Sequence, residues 1–240
     1  MVSGKRQITL LHQLLPTGVV PLYKLIDMAK KSIKWTEGQL ILTFGLNRMY
    51  EGMPIMDKWL QAKGELSDED RATLEKLRVD LFKRVEYWNE ETLKMRFIAF
   101  LLDLANYNTD RFQTFFDAEL TAEVEAHTLK IKADFVVATA VADLITAPYF
   151  CFHEYKRERK QSDDPVAQVL LAMLIGQTKN PKPHPIYGCY VMGRSWFFMV
   201  LDGKDFIVSN AFNATETDDL QRILLILREF KVILTEQLLK

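Results

Sequence analysis

The spacing of hydrophobic residues changes once along the chain, and this change limits the folds open to it. From Leu74 to Leu104, apolar residues recur every three to four positions, which is the spacing of an amphipathic helix. From about Phe115 onward, the apolar segments become rich in β-branched and aromatic residues, as strands are. The sequence therefore predicts an α-helical first part joined to an α/β core.

Individual elements follow from local signals. Ser67 with Asp70 predicts a helix start, and Asp163-Asp164-Pro165 predicts another, with an aspartate cap and a proline in the first turn. A further helix is expected at 22–34, and Thr217-Asp218-Asp219 is expected to cap a final one. The predicted strands are 131–138, 149–155, 186–192, 196–201 and 204–209.

Composition narrows the function classes. The 240 residues carry a formal net charge of −1, so the overall charge gives no indication of nucleic-acid binding. A local binding site for nucleic acid is still compatible with this charge. No apolar run approaches the length that spans a membrane, and we expect a cytoplasmic protein. The two cysteines, Cys151 and Cys189, fall in predicted strands and are expected to be buried thiols. The four histidines lack metal-ligand spacing.

Several well-known catalytic motifs do not occur. The chain contains no phosphate-binding loop of the Gly-Xaa4-Gly-Lys type and no Gly-Xaa-Gly-Xaa-Xaa-Gly dinucleotide fingerprint. It also contains no Gly-Xaa-Ser-Xaa-Gly nucleophile elbow. Nucleotide-binding and serine-hydrolase chemistry of these kinds are therefore disfavoured.

Acidic residues and a lysine instead cluster on two neighbouring predicted strands. Asp134 lies in the strand 131–138, and Glu154 and Lys156 lie in the strand 149–155 and directly after it. Strand side chains alternate between faces, so Glu154 and Lys156 point the same way, with Phe150 and Phe152 expected before them on that face. Two carboxylates and one ammonium at one end of a sheet would suit a magnesium site.

A different interpretation of the same residues is also open. Asp134 and Glu154 are equally consistent with exposed strand ends, and Lys156 with the start of a solvated charged run that ends at Lys160. In either case Lys156 is expected to be removable without leaving a buried hole. His153 faces away from Glu154 and is expected to be packed or hydrogen-bonded rather than a metal ligand.

The order of these parts resembles that of the PD-(D/E)XK nucleases, which have the restriction-endonuclease-like fold. The resemblance covers residues 89–201. A helix bearing Glu90 comes first, then the strand with Asp134, then Glu154-Tyr155-Lys156, and then a helix with Gln168 near its start. Glu91 is an alternative to Glu90, and Asp143 competes with Asp134.

The resemblance implies an architecture. We expect a mixed central sheet flanked by helices, with residues 1–88 as a helical elaboration and 89–240 as the restriction-endonuclease-like core. One continuous domain is the alternative.

The resemblance also implies chemistry. Asp134, Glu154 and the Tyr155 carbonyl would hold Mg²⁺, with Mn²⁺ as a substitute, and Glu90 would add a contact. Lys156 would orient or deprotonate a water molecule or stabilise developing charge, and Gln168 would lie near the site. The expected substrate is DNA.

Two alternatives to an active nuclease stay open. One is a catalytically silent relative that binds nucleic acid or a protein partner, and the other is a purely structural domain. Self-association into a homo-oligomer is also compatible with the sequence.

Overall fold

The computed structural model of this protein describes residues 34–159 and 164–238, apart from the side chain of Gln237. The residues described from Trp35 onward belong to one compact unit. The helix predicted at 22–34 lies outside the described residues except for Lys34, and Lys160 and Asp163 also lie outside them. No helix among the described residues is long and apolar enough to cross a membrane.

Helices lie before, between and after the strands of the sheet. They are α1 (Glu37–Phe44), α2 (Pro54–Leu60), α3 (Asp68–Arg84), α4 (Glu90–Leu93), α5 (Ala99–Ala105), α6 (Pro165–Lys179) and α7 (Thr217–Ile233). A 3-10 turn covers Val85–Tyr87, and π-helical turns cover Lys94–Ile98, between α4 and α5, and Leu234–Leu238. Ser67 and Asp70 cap the start of α3 reciprocally, and Asp164 caps α6, as the sequence predicted.

Eight strands pair in the part of the chain that the structure describes. They are β1 (Asn47–Met49), β2 (Gln113–Val124), β3 (His127–Val141), β4 (Leu144–Lys156), β5 (Ile186–Met192), β6 (Ser195–Asp202), β7 (Asp205–Val208) and β8 (Phe212–Asn213). The order is β1-β7-β6-β5-β4-β3-β2, with β8 on β6. The pairs β1/β7 and β4/β5 are parallel and the others antiparallel, so the sheet is mixed, which confirms the predicted fold class.

A hydrophobic core lies on each side of the sheet. Helix α6 is buried almost all round and packs on β2 to β5, because its apolar side chains cover most of its circumference. The other core joins the sheet to α2, α3, α5 and α7, with Trp59 and Trp196 among its fully buried side chains. Cys151 and Cys189 are buried free thiols in this second core, as expected.

The chain before residue 89 contributes to both sheet and core. Strand β1 pairs in parallel with β7, and Trp59 donates a hydrogen bond from Nε1 to the Ile226 carbonyl at 2.9 Å. The division of the chain at residue 88 into an elaboration and a core stays a prediction.

The pairing of β3 with β4 is irregular close to the predicted site. Val137 pairs with Cys151, but Ala138 pairs with Tyr149, so Phe150 is an extra residue in a β-bulge. Phe150 therefore joins the core of α2, α3, α5 and α7, whereas Phe152 joins the core of α6. The expectation that both phenylalanines precede Glu154 on one face was wrong, because a bulge shifts the alternation of side chains by one residue.

Close contact between α6 and β4 sets a strict size limit at Gly176. A Cβ added there would lie 2.6 Å from Cε2 of Phe152, a fully buried ring. We expect Gly176→Ala to lower the free energy of unfolding by ~1–3 kcal/mol, the usual cost of overpacking a core. Urea denaturation would measure this change in stability.

Gly38→Ala is the matched control, because Gly38 is exposed in α1 with no atom within 4 Å of the added Cβ. This substitution should be neutral or stabilising. Equal stability of Gly176→Ala and wild type would contradict the packing argument.

Candidate functional site

Asp134 and Glu154 lie on the adjacent strands β3 and β4, as predicted. The ladder between these strands pairs Phe135 with His153, and beyond that pair the Asp134 side chain bonds to the backbone of β4. Its Oδ2 accepts a hydrogen bond from the Tyr155 N–H at 2.8 Å. This bond holds one Asp134 oxygen against the strand and leaves Oδ1 pointing to other partners.

Glu154 and Lys156 form a close ion pair at the end of β4. Lys156 Nζ lies 2.5 Å from Glu154 Oε1, and the Glu154 and Lys156 side chains are only 5% and 14% exposed. The interpretation as exposed strand ends was therefore wrong for Glu154. The expectation that Lys156 fills no buried space was also wrong, because its stem is covered.

Burial shifts the ionisation of Glu154. Loss of solvent and, after it, the nearby Asp134 carboxylate raise the pKa of Glu154 from 4.5 to about 7. Lys156 opposes this rise, but its ammonium does not outweigh the desolvation. Burial alone would lower the pKa of Lys156, yet Glu154, Glu90 and Asp134 raise it overall, so the lysine stays charged.

Glu90 approaches the same site from the start of α4. Asn89 caps this helix by accepting the Thr92 N–H at 2.8 Å, which sets Glu90 in the first turn. Glu90 Oε2 lies 3.8 Å from Lys156 Nζ. Partial burial raises the pKa of Glu90, Lys156 opposes the rise and Asp134 adds to it. Of the two candidates, Glu90 lies near Lys156, whereas Glu91 is exposed and pairs with Lys94.

A second lysine, Lys94, reaches the site and was not predicted as a site residue. Its Nζ lies 3.4 Å from Asp134 Oδ1, 2.6 Å from Glu91 Oε1 and 3.8 Å from Glu90 Oε1. Desolvation alone would lower the pKa of Lys94, but these carboxylates raise it well above its usual range. Its position four residues after Glu90 was the available signal, because such residues share a helix face.

The backbone carbonyl of Tyr155 faces the strand that carries Asp134. The N–H and C=O of one strand residue point to the same side, and those of the next residue point to the other side. The Tyr155 N–H points to Asp134, whereas the Lys156 carbonyl accepts the Gly193 N–H on the opposite side, at 2.9 Å. The Tyr155 carbonyl therefore faces the edge of β4 on which Asp134 lies.

The Tyr155 side chain turns away from the site, as does His153. Both are buried on the other face, where Tyr155 Oη and His153 Nδ1 lie 2.9 Å apart. This confirms the prediction that His153 is a packed, hydrogen-bonded residue. Burial lowers the pKa of His153 to about 3, so the imidazole is neutral.

The remaining two candidates lie elsewhere. Asp143 is exposed in the turn that joins β3 to β4, at the other end of β4 from Glu154, so it does not replace Asp134. Gln168 lies in the first part of α6, as the sequence predicted. Its Oε1 is buried and has no hydrogen-bond partner among the described residues, and its place near the carboxylates stays a prediction.

The few oxygen atoms at this site suit a cation that keeps several coordinated water molecules. Mg²⁺ binds through one or two carboxylates together with water and substrate phosphates rather than in an all-protein cage. Asp134, Glu154 and the Tyr155 carbonyl offer oxygen atoms of the kind that such an ion uses, and burial and Asp134 outweigh Lys156 in raising the pKa of Glu154 to about 7. Within residues 34–159 and 164–238, no three His, Cys, Asp or Glu side chains are grouped to hold a metal by themselves.

Comparison with known proteins adds little to this geometry. No protein-family model matches the chain. No curated protein matches it either. Among solved structures, the chain is similar to one in a cryo-EM structure of a DrdV–DNA complex, with 16% identity and a TM-score of 0.41. The similarity covers 67% of this chain and 14% of that one.

Proposed function

We propose that this protein is a Mg²⁺-dependent nuclease that hydrolyses phosphodiester bonds of DNA. The observation that carries the proposal is the buried Glu154 carboxylate, which pairs with Lys156 at the end of β4 and lies near enough to Asp134 and Glu90 for their charges to raise its pKa. Burying a carboxylate that carries a raised pKa lowers the stability of the folded protein. Such groups beside a lysine are typical of functional sites. The choice of DNA rests on the resemblance to PD-(D/E)XK nucleases.

Each residue would have a definite task. Asp134, Glu154 and the Tyr155 carbonyl would hold Mg²⁺, which when bound lowers the pKa of a coordinated water and offsets phosphate charge. Lys156 would orient that water or stabilise the developing negative charge with its ammonium. In the hydrolysis, the water oxygen bonds to phosphorus, the ester P–O bond breaks, and the proton lost by water is balanced by one gained on the leaving oxygen.

A second candidate is a silent relative that binds nucleic acid or a protein partner without cleavage. Two observations favour it. Lys94 and Lys156 already pair with Asp134 and Glu154, so the protein itself supplies a cation to each of these two carboxylates. The formal net charge of −1 also fits a protein without strong general affinity for DNA. Chelator-sensitive cleavage of DNA would exclude this candidate.

Metal binding tests the assignment of the site. We expect Asp134→Asn to weaken Mg²⁺ binding at least roughly tenfold, because the amide offers a neutral ligand in place of a carboxylate. Isothermal titration calorimetry would measure it, and Mg²⁺ should raise the melting temperature of the wild type more than that of Asp134→Asn. Asp143→Asn is the matched control and should bind as wild type does. If Asp143→Asn lost the ion and Asp134→Asn kept it, the assignment of Asp134 would be wrong.

A further inference from the structure

Lys94 lies beside Asp134 Oδ1, the carboxylate oxygen that the Tyr155 N–H leaves unoccupied. Asp134 Oδ2 is engaged by the Tyr155 N–H at 2.8 Å, and Lys94 Nζ lies 3.4 Å from Oδ1. A divalent ion that used Oδ1 would therefore stand within a few ångströms of the Lys94 ammonium. Two positive charges at that separation repel each other unless one of them moves.

Lys94 also has a place to which it can move. Its Nζ lies closer to Glu91 Oε1, at 2.6 Å, than to Asp134 Oδ1, and the Glu91 side chain is 73% exposed at the rim of the site. Lys94 begins the π-helical turn Lys94–Ile98 within the helix that carries Glu90. Such turns widen the backbone locally and are frequent at functional sites. Because Lys94 lies near both Asp134 and the exposed Glu91, its ammonium can move from the first carboxylate towards the second over a short distance.

We propose that Lys94 is an internal counter-ion of the metal site that keeps Mg²⁺ affinity low until substrate arrives. Without a divalent ion its ammonium balances Asp134, and it must give up Oδ1 before Mg²⁺ binds there. A substrate phosphate brings negative charge that draws the ammonium away and favours the ion. This inference rests on the proposed function, since it assigns a regulatory role at the same metal site.

The test is Mg²⁺ binding in the absence of DNA, measured by calorimetry and by the rise in melting temperature. Lys94→Met keeps the aliphatic stem and removes the charge, so we expect it to bind Mg²⁺ roughly tenfold more tightly than wild type. Lys94→Arg keeps the charge and should bind nearly as weakly as wild type. Lys132→Met is the matched control for net charge, because Lys132 is 57% exposed and pairs with Asp117 on the surface.

The outcomes separate this inference from the proposed function. Tighter binding by Lys94→Met alone supports the counter-ion role, even if the protein proves unable to cleave DNA. Equal or weaker binding by Lys94→Met, with Mg²⁺ bound by wild type, overturns the role and leaves the nuclease proposal standing. Equal tightening by Lys132→Met also overturns it, because the effect would then be general charge. A lack of Mg²⁺ binding by every variant, both without DNA and with it, overturns both proposals.

Discussion

Lys156→Met is expected to reduce Mg²⁺-dependent DNA cleavage by roughly two or more orders of magnitude, the scale seen when a preorganised electrostatic group is removed. The ammonium lies 2.5 Å from Oε1 of Glu154, a proposed metal ligand, and 3.8 Å from Oε2 of Glu90. Methionine is preferable to alanine here, because the Lys156 side chain is only 14% exposed and its stem fills buried space. The assay is cleavage of single- and double-stranded DNA with Mg²⁺, with and without chelator.

The control for Lys156→Met is a lysine on the neighbouring strand. Lys130 is exposed on β3, so Lys130→Met should cleave nearly as wild type does, apart from a small salt-dependent change in binding. Circular dichroism and thermal unfolding would establish that both variants fold. Undiminished cleavage by folded Lys156→Met would remove the proposed role of this lysine. If wild type itself bound DNA without cleaving it, the silent relative would become the better interpretation.

Local sequence patterns predicted much of the fold because the relevant physics is local. The change of hydrophobic period separates the helices before Ala105 from the strands after Gln113, and cap residues such as Ser67 and Asp164 mark helix starts. Alternation along β4 likewise placed Glu154 and Lys156 together, since both lie after the irregular stretch of that strand.

Features that depend on pairing between distant segments could not be predicted. The bulge at Phe150 exists because β4 has one more residue than β3 between two paired positions, and neither strand shows this by itself. The approach of Lys94 to Asp134 depends on how the helix from Glu90 to Ala105 packs against the sheet and on the π-helical turn within it. The regular spacing of Leu93, Phe97 and Leu101 instead predicted an uninterrupted α-helix.

Mg²⁺ affinity is expected to depend steeply on pH below neutrality. Desolvation and the Asp134 carboxylate raise the pKa of Glu154 from 4.5 to about 7, so below pH 7 an ion must displace a proton to use Glu154. The association constant should rise about tenfold per pH unit up to about pH 7 and then level off. Calorimetry in buffers of different ionisation enthalpy should show about one proton released per ion at pH 6.

The raised pKa of Glu154 also determines whether stability rises or falls with pH. The pKa of Glu154 in the folded protein, about 7, exceeds its ordinary value of 4.5, so the folded state binds more protons than the unfolded state between these pH values. The contribution of Glu154 to the free energy of unfolding is therefore full below about pH 4.5 and is lost as the pH rises through 7. Mg²⁺ should restore stability above pH 7, where it binds the ionised carboxylate without competition from protons.

Glu154→Gln separates this linkage from general pH effects. The amide carries no titrating proton, so the variant should bind Mg²⁺ weakly and release no proton at pH 6, whereas Asp143→Asn should keep the wild-type dependence. A Mg²⁺ affinity that stays constant from pH 5 to pH 8 in wild type would show that the ion does not use Glu154. Because Glu154 is buried beside Asp134 and Lys156, that result would place any bound ion elsewhere and would remove the structural basis for the proposed hydrolysis.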